Sequence, residues 1–415
     1  MSSASRAGTC RRPLARSVAA LLLSGLACCC YSPAVARSPR VSRPLRAAAR
    51  RPAPPVAGGE PEVRVRLTEP GSPVALTCNR AVTLSCGRDS RRLEAGTRLT
   101  LRPDRGITVE VGARPWQRTG ETLYCRPVEE GLWSVGTRRY RGRMLAFRDS
   151  AGGIALVNEL GLEDYLAGVV PAEIGPINDE TIEAVKAQAV AARSFTLTRL
   201  GRRRGLGHSL FDSYLRDQEY RGAGAEVELA RRALSETRGE VLLLGGEPLE
   251  ALYHANCGGR TAPGAGGAIP SVHDTRDGRP GRAWCAGGKH YAWTASFTRD
   301  EFERRLAAVA GRGGRLRVRS LRIERDESGR ARRLEFATDR GSVRVGGSDF
   351  RMGLGLKSTQ FEVELGARTV KFTGRGWGHG VGMCQEGALA QARAGNDYRR
   401  ILGRYYPGAS VSRRY

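Results

Sequence analysis

Three segments carry residue types that do chemistry. The first is Leu162-Glu163-Asp164-Tyr165-Leu166-Ala167-Gly168-Val169-Val170-Pro171-Ala172-Glu173, followed by Glu183–Ser194 with Lys186, Gln188 and Arg193. Glu173 follows an apolar run and Pro171 and precedes a Gly-Pro loop. At the end of a buried strand such a carboxyl is desolvated, its pKa rises, and it can act as an acid. Lys186 and Arg193 lie seven residues apart, two helical turns, so they share a face that could bind an anionic or hydroxylated substrate. On spacing alone the plainer reading of Glu173 is a surface carboxylate paired with an arginine, since exposed ion pairs are common and weak.

The second segment is Tyr253-His254-Ala255-Asn256-Cys257-Gly258-Gly259. His254-x-x-Cys257 and Cys285-x4-His290 form two close ligand pairs joined by a Gly-rich loop, a spacing that suits tetrahedral zinc. Four protein ligands would make a closed, structural site, with His273 as the spare ligand. The alternative is a Cys257–Cys285 disulfide. The third segment is Gly374–Gln385, with Trp377, His379 and Cys384. It lacks the Lys-Ser/Thr of a phosphate loop and the dinucleotide fingerprint. Its glycines let the backbone approach another surface or a ligand. His379 reads either as a donor to a substrate oxygen or as a structural hydrogen-bonder.

The elements that must position these residues are mixed. Short alternating runs at Val63–Leu67, Val74–Thr77, Arg98–Leu101 and Ile107–Val111 make residues 61–147 a β-rich part, and Ile154–Asn158 continues it. Residues 148–412 read as the site-bearing domain. It holds a helix over Thr181–Leu200 capped by Asn178 or Asp179, and helices over Glu226–Glu236 and Arg299–Ala310. A hairpin is expected around Gly245-Gly246, and the last helices near Ala388–Arg393 and Tyr398–Tyr405. The fold class is α+β, a mixed domain with a cleft and a smaller β-rich N-terminal part.

The N-terminus reads as an export signal over 1–36. Arg6, Arg11, Arg12 and Arg16 precede the apolar run Val18–Ala27, and Ala34-Val35-Ala36 offers a cleavage site. Lipid attachment at Cys28, Cys29 or Cys30 is the rival, although Gly25-Leu26-Ala27-Cys28 is a poor lipobox. Residues 37–60 form an Arg/Pro/Ala linker. In an exported chain Cys78, Cys86, Cys125, Cys257, Cys285 and Cys384 are expected paired or metal-bound, with Cys78 and Cys86 spaced like a hairpin staple.

The 415 residues carry 68 Lys+Arg against 42 Asp+Glu, a net charge of +26. With 40% hydrophobic residues, wholesale disorder is excluded, and no long apolar run follows the N-terminus, so a multi-span membrane protein is excluded too. Only Lys186, Lys289, Lys357 and Lys371 are lysines; so even an arginine excess reads mainly as solvated surface. The charge implies anionic surroundings. Nucleic acid fits poorly, given 6% aromatic residues and an export signal.

Taken together, the three segments resemble the stage II sporulation protein D family, also called the amidase-enhancer family. The resemblance rests on Leu162–Glu173, Lys186–Ser194, Gly376–Met383 and the ending Tyr398-x-x-Ile401-Leu402-x-x-Tyr405-Tyr406-x-Gly408, and covers about residues 135–410. It implies a peptidoglycan lytic transglycosylase. Glu173 matches the family's catalytic acid, which reverses the reading from spacing. Lys186 and Arg193 match the family's basic helix, with Arg193 as a substrate or transition-state contact or as the residue that orients Glu173; Gln188, Trp377 and His379 are further substrate-binding candidates. Some family members hold zinc with His and Cys near the second segment, and the chemistry itself requires no cofactor. The implied partners are glycan strands and a wall amidase, the latter central to the alternative in which the protein is a non-catalytic enhancer of an N-acetylmuramoyl-L-alanine amidase. Three departures stand out: a longer loop after Glu173, a Gly-rich 262–284, and Cys384 where Ser is common.

Overall fold

The computed structural model describes residues 59–415 apart from 68–72, 105, 112–113, 119–121 and 214. The expected signal over 1–36 and nearly all of the 37–60 linker lie outside the described residues. Seven α-helices occur among the described residues: α1 Leu162–Glu173, α2 Ile182–Arg199, α3 Glu228–Glu236, α4 Arg299–Val309, α5 Gly347–Leu354, α6 Gln385–Arg393 and α7 Tyr398–Tyr405. With strands in several sheets, the fold is α+β. No helix among the described residues is long and apolar enough to cross a membrane.

Two sheets fill the N-terminal part. One has seven strands in the order 210–211, 62–66, 154–161, 143–148, 123–127, 82–86 and 89–93. The other has six, in the order 138–140, 133–135, 74–78, 99–103, 107–111 and 114–118. Strands Val74–Cys78 and Val82–Cys86 bury every second residue, and Leu76, Leu84, Leu99 and Trp133 meet in one core. The expected boundary at 147/148 falls inside the antiparallel pair Arg143–Arg148/Ile154–Gly161. The core runs on from Val63 to Tyr406, so the β-rich part and the helices share one apolar interior.

Strand Ile154–Gly161 is buried along nearly its whole length and feeds directly into α1. Leu162, Tyr165, Leu166, Val169 and Val170 fall on one helical face and are buried, while Glu163 and Asp164 suit the positive end of the helix. The Glu60 carboxylate accepts the Glu163 N–H at 2.9 Å and so caps the helix start. Helix α2 begins behind a capping box of Asn178 and Thr181. It is buried on almost every side, and Ala184, Ala187, Ala189, Ala191 and Ala192 let α1, α3, α6, α7 and strand Glu240–Leu244 approach it closely.

Residues 293–372 build a second core. Phe302, Phe336, Phe350, Phe361 and Phe372 stack among α4, α5 and two three-stranded sheets, with centroids 5.4–6.4 Å apart. Arg330, fully buried, joins it to the main body by donating to the carbonyls of Cys257 at 2.6 Å and Arg260 at 2.9 Å.

Candidate active site and cysteine cluster

Glu173 ends a helix rather than a strand, because the run from Leu162 keeps helical spacing up to Pro171 and the chain leaves α1 at Ile174, just before Gly175-Pro176. Its carboxyl is pushed up from the usual 4.5 to about 7, chiefly by burial. The N–H of Glu219, the side-chain amide of Gln385 and the charge of Arg221 work against that rise, and the Glu219 carboxylate works with it. The Glu219 N–H donates to Glu173 Oε1 at 2.8 Å. That donor is held in place by Gln218, which is 1% exposed and fully partnered. Gln218 accepts from Tyr165 Oη at 3.1 Å and Thr196 Oγ1 at 2.7 Å, and donates to Tyr253 Oη at 2.8 Å. The Glu219 carboxylate itself accepts from Arg221 Nε at 3.1 Å.

Gln188 joins this network. It is fully buried and accepts from Gln385 Nε2 at 3.3 Å, while its own Nε2 has no partner among the described residues. Lys186 and Arg193 point elsewhere. Lys186 Nζ lies 2.7 Å from both Glu183 and Glu236, tying α2 to α3. Arg193, fully buried, makes a two-pronged pair with Glu163 at 2.8 Å on each side and donates to the Glu240 carbonyl at 2.9 Å. Glu163 sits in the first turn of α1 and Glu173 in its last, about 15 Å away by helical rise. Arg193 thus faces Glu163 and the Glu240 carbonyl, not Glu173.

His379 accepts from the Val381 N–H at Nδ1, 3.1 Å, which fixes Nε2–H as donor to the Tyr253 carbonyl at 2.9 Å. His379 is exposed, and an Nδ1 that accepts is that of a neutral imidazole. Both nitrogens face backbone groups. Trp377 is half-buried, with Lys357 Nζ 4.4 Å from its ring centroid and the His290 ring 4.5 Å away at a steep angle. Gly376 and Gly378 take positive φ of 76° and 107°. A Cβ at Gly376 would sit 2.7 Å from the Asn256 carbonyl oxygen, and one at Gly378 would sit 2.9 Å from His254 Cβ, so only glycine lets these two segments touch.

The zinc ligands expected from spacing are not brought together as a set. His254 turns Nδ1 to the Val381 carbonyl at 3.1 Å, and His290 Nδ1 lies 2.7 Å from Glu386 Oε1. Cys257 and Cys285 do meet, with Sγ atoms 3.5 Å apart, and Asp274 and Cys384 join them. The ligand atoms of these four buried residues all lie within 4.8 Å of one another. His273, the spare ligand, is outside this set. Backbone N–H groups face the sulfurs: Cys257 N to Cys384 Sγ at 3.2 Å, Gly259 N to Cys257 Sγ at 3.4 Å and Gly387 N to Cys384 Sγ at 3.4 Å. Asp274 accepts from Tyr405 Oη at 2.6 Å and from the Cys285 N–H at 3.1 Å. Three soft sulfurs, one carboxylate and N–H donors to the sulfurs form a donor set that fits a tetrahedral divalent metal. The three thiols are not joined by disulfides, nor are Cys78, Cys86 and Cys125. Cys78 and Cys86 do not staple a hairpin because their strands belong to different sheets.

Sequence reasoning missed Gln385, Gln218, Glu219, Glu163 and Asp274. Gln385 is the last residue of the Gly374–Gln385 segment, which was a usable signal. Asp274 sits in a Gly-rich loop with no local pattern to mark it.

Two results should follow from this geometry. A carboxyl titrating near 7 donates its proton only below that pH, so an acid-catalysed reaction should slow about tenfold per pH unit above about 7. Gln385→Ala removes a hydrogen bond that favours the ionised form, so the alkaline limb of that profile should move to higher pH. A pH–rate series on the two proteins checks both. Stability carries the same signature. Between pH 4.5 and about 7 the folded chain keeps a proton that the unfolded chain has released, so stability should fall as pH rises through that window. The loss should be at most about 3 kcal/mol and absent in Glu173→Gln, as read by urea unfolding at pH 5 and pH 8.

The fold and site define an α+β protein in which the end of α1 brings Glu173, its carboxyl raised to about 7, to Gln385 and the Glu219 N–H. A family model described as stage II sporulation protein matches residues 150–244. A second model, for a domain of unknown function, matches residues 284–382, which include the phenylalanine-lined core. An uncharacterized protein of Brachyspira hyodysenteriae is 31% identical over 291 residues, 68% of this chain and 74% of the relative. Stage II sporulation protein D of Bacillus subtilis is 28% identical over 319 residues, 73% of this chain and 84% of that protein. The amidase enhancer of Bacillus subtilis is 26% identical over 60% of this chain and 40% of its own length. The chain belongs to the stage II sporulation protein D family.

Proposed function

We propose that this protein is an exported lytic transglycosylase that cleaves the glycan strands of peptidoglycan, with Glu173 as its single acid/base. The observation that carries the reading is Glu173 itself: half-buried, its carboxyl raised to about 7, and held through one oxygen by the Glu219 N–H. Fixing Oε1 leaves Oε2 to carry the proton. In the reaction Glu173 gives that proton to the glycosidic oxygen leaving C1 of an N-acetylmuramic acid residue. The C1–O bond breaks, the sugar's own O6 bonds to C1, and the O6 proton passes to Glu173. The enzyme ends in its starting protonation state and no water is consumed. One carboxyl serves both steps, unlike the two-carboxylate glycosidase arrangement. The pairing of the Glu219 carboxylate with Arg221 agrees with this, since it leaves Glu219 committed to an ion pair.

A structural zinc at Cys257, Asp274, Cys285 and Cys384 is part of the proposal. With four protein ligands it would leave no open position, so its contribution would be to clamp the loops bearing Cys257 and Asp274 to the start of α6, where Gln385 meets Glu173. Protein purified without chelator should contain about one zinc per chain by elemental analysis. Cys285→Ser should lose it and melt earlier. A Cys257–Cys285 disulfide in the metal-free protein, read by alkylation and mass spectrometry, would refute the metal.

The main test incubates the protein with purified glycan strands, with and without stem peptides, and reads products by mass spectrometry. Anhydro-muramyl ends are expected. Reducing ends would mean hydrolysis instead. Glycan bound but uncut would favour the enhancer reading, which the likeness to the amidase enhancer supports; stimulation of a wall amidase would then be the activity to measure.

A further inference from the structure

A cavity of about 400 Å³ opens between the 271–278 loop and α7, lined by Ser271, Val272, His273, Gly278, Arg400 and Arg404. None of these residues belongs to the network around Glu173. Two guanidiniums and an imidazole line it, and no carboxylate does. Arg400 and Arg404 are one helical turn apart and share a face of α7. Arg404 is pre-positioned: its Nη2 donates to the Arg276 carbonyl at 2.7 Å. Its Nε is buried and has no partner among the described residues. A buried guanidinium N–H facing no acceptor is a group waiting for one. The Ser271 hydroxyl is already committed, donating to the Thr261 carbonyl at 2.6 Å and accepting from Arg260 Nε at 2.9 Å. The free hydrogen-bonding capacity of the cavity therefore lies with the two arginines and His273.

We propose that this cavity is a binding site for a phosphate group. A carboxylate offers two coplanar oxygens, which one guanidinium fork satisfies. Two forks from successive turns, with an imidazole across from them, offer donors in several directions and suit a tetrahedral oxyanion. A soluble or polymeric phosphoester and a lipid headgroup both present this group, and the recognising chemistry is the same.

The test is calorimetric titration of the whole protein with inorganic phosphate, sn-glycerol 3-phosphate and acetate at low salt. Saturable binding of both phosphates is expected, with acetate at least about tenfold weaker and all binding weakened by added salt. Arg404→Gln should weaken phosphate binding about tenfold or more. That variant also loses the bond to Arg276, so the exposed Arg400→Gln is the second variant, expected to weaken binding with an unchanged melting temperature. Arg322→Gln, an exposed arginine on another element, is the control and should bind as the parent does. Vesicles of phosphatidylglycerol and of phosphatidylcholine separate the sources. Capture by the former that glycerol 3-phosphate competes away assigns a headgroup, and phosphate binding without vesicle capture assigns a soluble or polymeric phosphoester. No saturable phosphate binding, acetate binding equal to phosphate, or an equal loss in Arg322→Gln would each overturn the proposal. None of these readouts depends on glycan cleavage, so the outcome stands apart from the transglycosylase reading.

Discussion

Glu173→Gln should reduce the formation of anhydro-muramyl ends by about a thousandfold or more while the protein stays folded. The substitution keeps the shape of the side chain and the acceptor oxygen for the Glu219 N–H, and removes the transferable proton. General acid–base catalysis by one group contributes about 10²–10⁴-fold, and here the same group serves both proton transfers, which places the loss at the upper end. The amide also removes the penalty of ionising a half-buried carboxyl, so the variant should melt no lower than the parent at pH 8. Mass spectrometry of digested glycan strands and a thermal melt check the two halves. A variant that cuts as fast as its parent would remove Glu173 from the chemistry.

The second large effect is on stability. Glu163→Ala should cost about 3–5 kcal/mol, because it strands the Arg193 guanidinium, which is fully buried and makes both arms of its ion pair with Glu163. Tyr415 Oη, which donates to the same carboxylate at 2.7 Å, loses its acceptor too. Arg193→Met should be milder than Glu163→Ala, since it removes the charge rather than orphaning it. Denaturant unfolding measures both. If Arg193 instead served as a substrate contact, Arg193→Met would raise KM and leave the unfolding midpoint in place. The structure sets the opposite expectation: a shifted midpoint, and activity lost only in proportion to unfolded protein.

How the candidate site became legible divides along physical lines. Helix α2 could be read within a residue or two, because a capping Asn178, early acids and an alanine-rich run are local signals, and local signals determine local structure. Helix α1 was hidden, since Val169-Val170-Pro171 has the composition of a strand and only packing against α2, α3 and strand 154–161 makes it helical. The same limit explains Lys186 and Arg193. Their seven-residue spacing correctly gave a shared helix face, but what that face meets is a tertiary fact: Glu163, Glu183 and Glu236 come from three helices and claim both cations.

The sequence by itself determined the α+β class and the family. These depend on composition, periodicity and contiguous motifs, which are properties of neighbouring residues. The tertiary structure alone decided which groups meet across long separations. It brought Gln385 and the Glu219 N–H to Glu173, Asp274 and Cys384 to Cys257 and Cys285, and turned His254, His290 and His379 to backbone and carboxylate partners instead. Each of those meetings joins residues tens to hundreds of positions apart. Their environment, and hence their pKa values and their chemistry, exists only once the chain has buried its core.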